Sequence, residues 1–210
     1  DALPVTFDGG TNETLNTEDI FEGFANQLKN EDGRTYVEEG NVETELSTAA
    51  ETLSAEYKVP FLAHACMEPM NCTALIQNNS VEVWVPNQSP TITSWLAEQT
   101  ADVPAENVTI HNTYLGGGFG RRIEPDCMIM AIQIAKAMQG RPVQLIWTRE
   151  NDTQHDAYRP AALSNFKGAL SKAGLIASWH HRTASPSVTR SFVGRLLPMA
   201  SMDMPDNTTA

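Results

Sequence analysis

The spacing of apolar and polar residues changes period several times along the chain, and each change marks an element. Ile20, Phe21, Phe24, Ala25 and Leu28 share one face at helical spacing, which predicts a helix over about 18–29. Thr17 reads as its N-cap, and Glu18 and Asp19 suit its first turn. Residues 1–16 read as extended and then loop-like, and a polar stretch follows the helix to about residue 50. Residues 53–59 alternate as a strand. Residues 72–77 and 81–85 alternate around Asn78-Asn79-Ser80, the pattern of a hairpin.

Ser89-Pro90 opens a helix over about 90–99, with Ser as N-cap and Pro at the first helical position. Residues 107–114 form a strand that runs into a glycine-rich stretch. A helix over 125–138 follows, starting at Pro125 and stopping at Gly140. Its apolar residues lie nearly all round, so burial on most sides is expected. Residues 143–147 form a short apolar strand, and 165–170 and 175–182 pair through Lys172-Ala173-Gly174. Beyond about 190 no period is visible. Helices and strands mix without strict alternation, which predicts an α+β fold with mixed sheets and packed helices. The pattern divides the chain into an N-terminal extended and helical segment (1–50), a main domain (51–190) and a tail (191–210).

Composition narrows the function. The chain has 210 residues and a net charge of -12, from 26 acids against 14 Lys and Arg. Such a field repels phosphate backbones, so nucleic acid and anionic membranes are disfavoured as partners. No apolar run reaches the roughly 18 residues that span a bilayer. The three cysteines, Cys66, Cys72 and Cys127, follow no disulfide or metal-knuckle spacing. His180 and His181 lie on a strand and point to opposite faces, so no metal site is expected there.

The stretch Gly116-Gly117-Gly118-Phe119-Gly120-Arg121-Arg122 carries the chemistry. Glycines between a strand and a helix let backbone approach a ligand, and successive amides there favour an anion. Arginines beside it can pair with phosphate in bidentate fashion. On the residues alone, this is a loop for a phosphorylated or oxo-anionic ligand, or else a tight turn. Neither the P-loop nor the dinucleotide fingerprint is present.

The string GGGFGRR resembles the GGGFGGKE loop of the xanthine dehydrogenase and aldehyde oxidase superfamily. Its double-arginine form resembles the large, molybdopterin-binding subunits of the isoquinoline 1-oxidoreductase branch. Three further segments match in order: His64-Ala65-Cys66-Met67-Glu68-Pro69, Val83-Trp84-Val85-Pro86-Asn87-Gln88, and Trp147-Thr148-Arg149-Glu150-Asn151-Asp152 with Tyr158-Arg159-Pro160 after it. The resemblance covers roughly residues 50–185.

It implies that Gln88 places its amide beside the apical oxo ligand of molybdenum. It also implies that Gly117, Gly118, Phe119, Gly120 and Arg121 line the cofactor, and that Arg159 orients substrate and stabilises developing negative charge. The implied cofactor is molybdopterin with molybdenum, in its cytosine dinucleotide form. The implied reaction is hydroxylation with oxygen from water, and its electrons leave through a 2Fe-2S small subunit.

Where much of the superfamily has a substrate-contacting glutamate, this chain has Ile123, with Glu124 one place later. An N-heteroaromatic or aldehyde substrate therefore fits better than a purine. The superfamily's catalytic glutamate lies near the C-terminal end of the large subunit, beyond this chain. The chain thus reads as a piece that is inactive alone and needs the remainder of that subunit. Its start at Asp1 fits a processed or excised piece, and bacterial cytoplasm and periplasm both stay open. Two other readings stand beside this one: a stand-alone phosphate- or nucleotide-binding module, and an interaction domain without cofactor.

Overall fold

The structure, a computed structural model, describes residues 4, 6, 8–30 and 33–196. In chain order its elements are α1 (Thr17–Asn30), α2 (Val42–Thr48), β1 (Glu51–Val59), β2 (Asn71–Gln77), β3 (Ser80–Val85) and α3 (Pro90–Ala101). Then follow β4 (Val108–Asn112), α4 (Asp126–Ala137), β5 (Val143–Ile146), α5 (Arg149–Gln154), β6 (Ala162–Leu170), β7 (Ile176–Ala184) and α6 (Val188–Leu196). The α+β expectation holds.

The chain closes into two compact units, one from residues 1–61 and 160–210, the other from 62–159. This division differs from a main domain over 51–190, because β1 pairs antiparallel with β6, more than a hundred residues later in the chain. Of the expected tail, residues 191–196 belong to α6 and 197–210 lie outside the described residues.

The first unit carries an antiparallel sheet in the order β1-β6-β7. Leu163 and Ala184 on one face pack against Phe21, Phe24 and Leu28 of α1. The α1 helix is entered through Asn16, not Thr17: Asn16 Oδ1 accepts from the Asp19 N–H at 2.9 Å, and its Nδ2 donates back to the Asp19 carboxylate at 2.7 Å. His181 stacks on Phe166 at 4.2 Å, and His180 sits on the opposite face, so the two cannot share a metal.

The second unit carries the sheet β4-β3-β2-β5, parallel between β3 and β4 and antiparallel elsewhere. Asn78 and Asn79 turn the β2–β3 hairpin with φ of +51° and +60°, the left-handed pair that a two-residue turn requires. Cys72, Ala74 and Ile76 of β2 and Val81, Val83 and Val85 of β3 alternate inward against Met128, Ala131, Ile132 and Ala135 of α4. Ser89 makes no side-chain cap on α3; its carbonyl instead accepts from the Thr93 N–H at 3.0 Å. The expectation that α4 is buried on most sides fails: Met130, Ile134 and Met138 are exposed on the face away from the sheet. All three cysteines are buried and free. Among the described residues no helix is long and apolar enough to cross a membrane.

Candidate functional site

The glycine loop after β4 is held by the two segments that precede β2 and α3. From the first, Glu68 donates its N–H to the Gly116 carbonyl at 3.1 Å and accepts the Gly116 N–H on Oε2 at 2.9 Å. From the second, Gln88 donates its N–H to the Arg122 carbonyl at 2.9 Å. Its side-chain oxygen accepts from the backbone N–H of Gly120 at 3.0 Å and of Arg122 at 3.2 Å. Two donors meet that end of the amide, so its oxygen must lie there and its NH2 must turn away. Among the described residues nothing accepts from Gln88 Nε2. The same is true of the backbone amides of Gly117, Gly118 and Phe119.

Close approach explains Gly116, against Glu68, and Gly118, against Gln88. A Cβ on Gly118 would lie 2.5 Å from Gln88 Oε1. Phe119 adopts φ +53° although it has a side chain, and the residue is 77% exposed. A left-handed residue costs about 1–2 kcal/mol, and exposure returns nothing for it. Such strain gathers where backbone geometry serves a ligand.

The arginines do not serve as phosphate clamps. Arg121 and Arg122 are each only 2% exposed. Arg121 holds the Asp126 carboxylate through Nη1 at 3.1 Å and Nη2 at 2.8 Å, and its Nε lies 3.0 Å from Asp156 Oδ1, off the line of a hydrogen bond. Burial opposes its charge, but the bonds to Asp126 and the pull of Asp126 and Asp156 outweigh that, so its pKa rises. Arg122 donates to the Gly117 carbonyl and to the carbonyl and carboxylate of Glu68, each at 2.8 Å. Both side chains brace the loop from behind. The Arg121 N–H donates to the Gly118 carbonyl at 2.8 Å, so it offers the loop no free amide.

A third segment joins them. Leu62 and Arg159 exchange backbone hydrogen bonds at 2.9 and 3.2 Å, which places Arg159 beside the entrance to the His64–Pro69 segment. Two residues on, the His64 N–H donates to Asp156 at 2.5 Å and its Nδ1 lies 3.0 Å from the same carboxylate. Asp156, with a side chain 1% exposed, therefore ties His64 to Arg121. His155 stays outside this network, edge-on to Trp147 at 6.3 Å. Cys66 sits behind the loop with Sγ 3.6 Å from the Gly118 carbonyl; burial pushes its thiol pKa up, and Arg122 offsets part of this.

Gln88 and the Gly117–Gly120 backbone thus come together, and Arg159 is anchored on an adjoining segment. The carboxylates of Asp126 and Asp156, and the pairing of Glu68 with Arg122, are what the sequence reading missed. The signal available was two adjacent arginines in an acidic chain, which need counter-charges once buried. Among the described residues no cluster of His, Cys, Asp or Glu could hold a metal directly.

Residues 25–202 match the family described as the molybdopterin cofactor-binding domain. The chain belongs to that family. It is 34% identical over 149 residues to the isoquinoline 1-oxidoreductase subunit beta of Brevundimonas diminuta, covering 69% of this chain and 18% of that protein. It is 30% identical over 188 residues to a membrane-bound aldehyde dehydrogenase of Gluconacetobacter polyoxogenes, whose name gives pyrroloquinoline quinone, covering 88% of this chain and 24% of that protein. Among solved structures, quinoline 2-oxidoreductase from Pseudomonas putida 86 superposes with a TM-score of 0.58 at 16% identity, covering 68% of this chain and 18% of that one. That likeness shows the fold alone. The chain spans about a fifth to a quarter of the length of these relatives.

A molybdopterin cofactor-binding domain needs donors for an oxygen- and sulfur-rich metal centre. The loop supplies three amides without acceptors and the Gln88 NH2, so the residues present fit the group.

Proposed function

We propose that this chain forms the molybdenum-facing part of the large subunit of a water-dependent hydroxylase. Gln88 Nε2 and the Gly117–Gly120 backbone hold the metal end of the cofactor, and Arg159 faces the substrate. The observation that carries this reading is a set of donors with no protein acceptor among the described residues: nearly all buried amides find a partner, so the buried Gly118 N–H, flanked by those of Gly117 and Phe119 and by the Gln88 NH2, favours a ligand rich in acceptors. Bound there, molybdopterin in its cytosine dinucleotide form would supply a two-electron oxidation with oxygen drawn from water.

The chain's own residues position that chemistry. Gln88 is fixed at its oxygen end by Gly120 and Arg122, so its NH2 is aimed before any ligand arrives. Arg159 is set by the Leu62 backbone pair, and a fixed cation stabilises negative charge that develops on substrate. With Ile123 in place of a glutamate, the substrate class is an N-heteroaromatic or an aldehyde. The rest of the large subunit completes the site, and a 2Fe-2S small subunit takes the electrons.

A phosphate or nucleotide module finds less support, because Arg121 and Arg122 are turned inward and neutralised. The test is turnover of isoquinoline and of benzaldehyde by the large subunit that contains this chain, with its small subunit, in isotopically labelled water. Label from water in either product is expected. Oxidation of neither compound, or oxygen taken from dioxygen, overturns the proposal.

A further inference from the structure

Every free group so far described at the loop is a donor. His64 is different. Its Nδ1 lies 3.0 and 3.1 Å from the two oxygens of Asp156, which accept and cannot donate when ionised. Nδ1 therefore carries the proton, and the neutral ring keeps a lone pair on Nε2. Among the described residues nothing pairs with that nitrogen, and the side chain keeps 12% of its surface exposed. Nε2 faces the loop: a methyl group added at Gly120 would sit 3.8 Å from it. Gly120 is also the residue whose N–H holds Gln88.

Resting on the cofactor reading above, we propose that His64 is the hydrogen-bond acceptor of this cradle. Its Nε2 receives a bond from an O–H or N–H borne by the ligand that the loop amides and Gln88 hold. Asp156 is a positioning residue that sets the tautomer. The geometry supports this division of labour. Asp156 is buried, so its carboxylate is shielded from solvent, and it is held from both sides by the His64 backbone N–H and by Arg121. A ring locked in this way spends little entropy on binding. A site of donors alone would hold oxo and sulfur acceptors but leave a protonated group on the ligand without a partner, at the cost of burying it unpaired.

The experiment reads the tautomer and ligand retention separately. Two-bond proton–nitrogen correlation spectra of the imidazoles are recorded at about pH 8.5, above the ordinary imidazole range, with His64 assigned by its loss in His64→Phe. The wild type should show the proton on Nδ1. Asp156→Asn can keep its oxygen at the Oδ2 position for the His64 N–H and place its NH2 at the Oδ1 position, facing Nδ1, at the loss of the Arg121 Nε contact. The proton should then move to Nε2, turning the acceptor into a donor.

Molybdenum and pterin retained during dialysis are measured on the large subunit that contains this chain. Retention should fall roughly three- to tenfold in His64→Phe and in Asp156→Asn, the effect of one hydrogen bond. A proton on Nε2 in the wild type overturns the inference, as does wild-type retention in a folded Asp156→Asn variant with the inverted tautomer. A wild type that loads no molybdopterin overturns the functional reading and the ligand with it. The tautomer result still stands in that case, so the two failures are distinguishable.

Discussion

Adding one methyl group at each of two glycines separates the framework of the loop from the group it aims. A Cβ at Gly116 would fall within the van der Waals envelope of Glu68 Cβ, an atom fixed to backbone that cannot swing away. Gly116→Ala must therefore shift the Glu68 segment, breaking the Gly116 N–H bond and the Glu68–Arg122 pair. Breaking a fully buried pair costs about 3–5 kcal/mol. The Glu68 side chain is 31% exposed, so a cost of roughly 2–4 kcal/mol is expected after solvent screening. At Gly118 the methyl meets only the end of the Gln88 side chain, which is exposed and can turn outward. Two hydrogen bonds to its oxygen are lost and partly replaced by water, for about 1–2 kcal/mol.

Urea unfolding followed by fluorescence of Trp147, which is 8% exposed and lies under Arg121 at 5.7 Å, reads both variants. Gly116→Ala should lower the midpoint clearly more than Gly118→Ala. Equal costs, or a larger cost at Gly118, would refute the assignment of Glu68 as framework and Gln88 as aimed group.

Two other expectations follow from the same geometry. In the full enzyme, Arg159→Met keeps the backbone pair with Leu62 and removes the cation; kcat should fall roughly 10²- to 10³-fold with molybdenum content unchanged, and Arg159→Lys should recover part of it. Unchanged kcat with a raised KM would make Arg159 a ground-state binding residue. Burial pushes the thiols of Cys72 and Cys127 up to about 12. Unfolded thiols ionise from about pH 8.5 upward, so above that value the unfolded state binds fewer protons than the fold. Stability should then fall as pH rises toward the folded-state value, by up to about 1.4 kcal/mol per pH unit for each thiol. Urea midpoints against pH for Cys72→Ala/Cys127→Ala should lose that slope, and a slope that persists would exclude the thiols as its source.

Local pattern carried much of the second unit. The Asn78-Asn79 turn, the start of α3 at Pro90 and the end of α4 before Gly140 are each written in two or three adjacent residues. Three short helices were not legible, because polar sequence and local capping define them instead of an apolar stripe: Asn41 caps α2 through the Thr44 N–H, and Thr148 caps α5 through the Asn151 N–H. α6 likewise carries no period that stands out from the tail. The exposed Met130, Ile134 and Met138 misled for the opposite reason, since apolar content does not say which face of α4 meets the sheet. Nor does local pattern reveal the pairing of β1 with β6, strands more than a hundred residues apart in sequence.

At the site, the glycine string and Gln88 could be singled out because their residue types are unusual in that order. The roles of Arg121 and Arg122 could not. Charge beside a glycine loop looks the same whether it faces a phosphate or is spent on Asp126, Asp156 and Glu68 behind it.

Molybdenum and molybdopterin content per chain, measured on the large subunit purified from a molybdopterin-producing host, decides whether Gln88 and the glycine loop hold the metal end of molybdopterin as proposed. The account predicts stoichiometric loading of the wild type and a loss of roughly 10- to 100-fold in metal affinity for Gln88→Leu. A wild type without molybdenum, or a Gln88→Leu variant that holds it as tightly as the wild type, would contradict it.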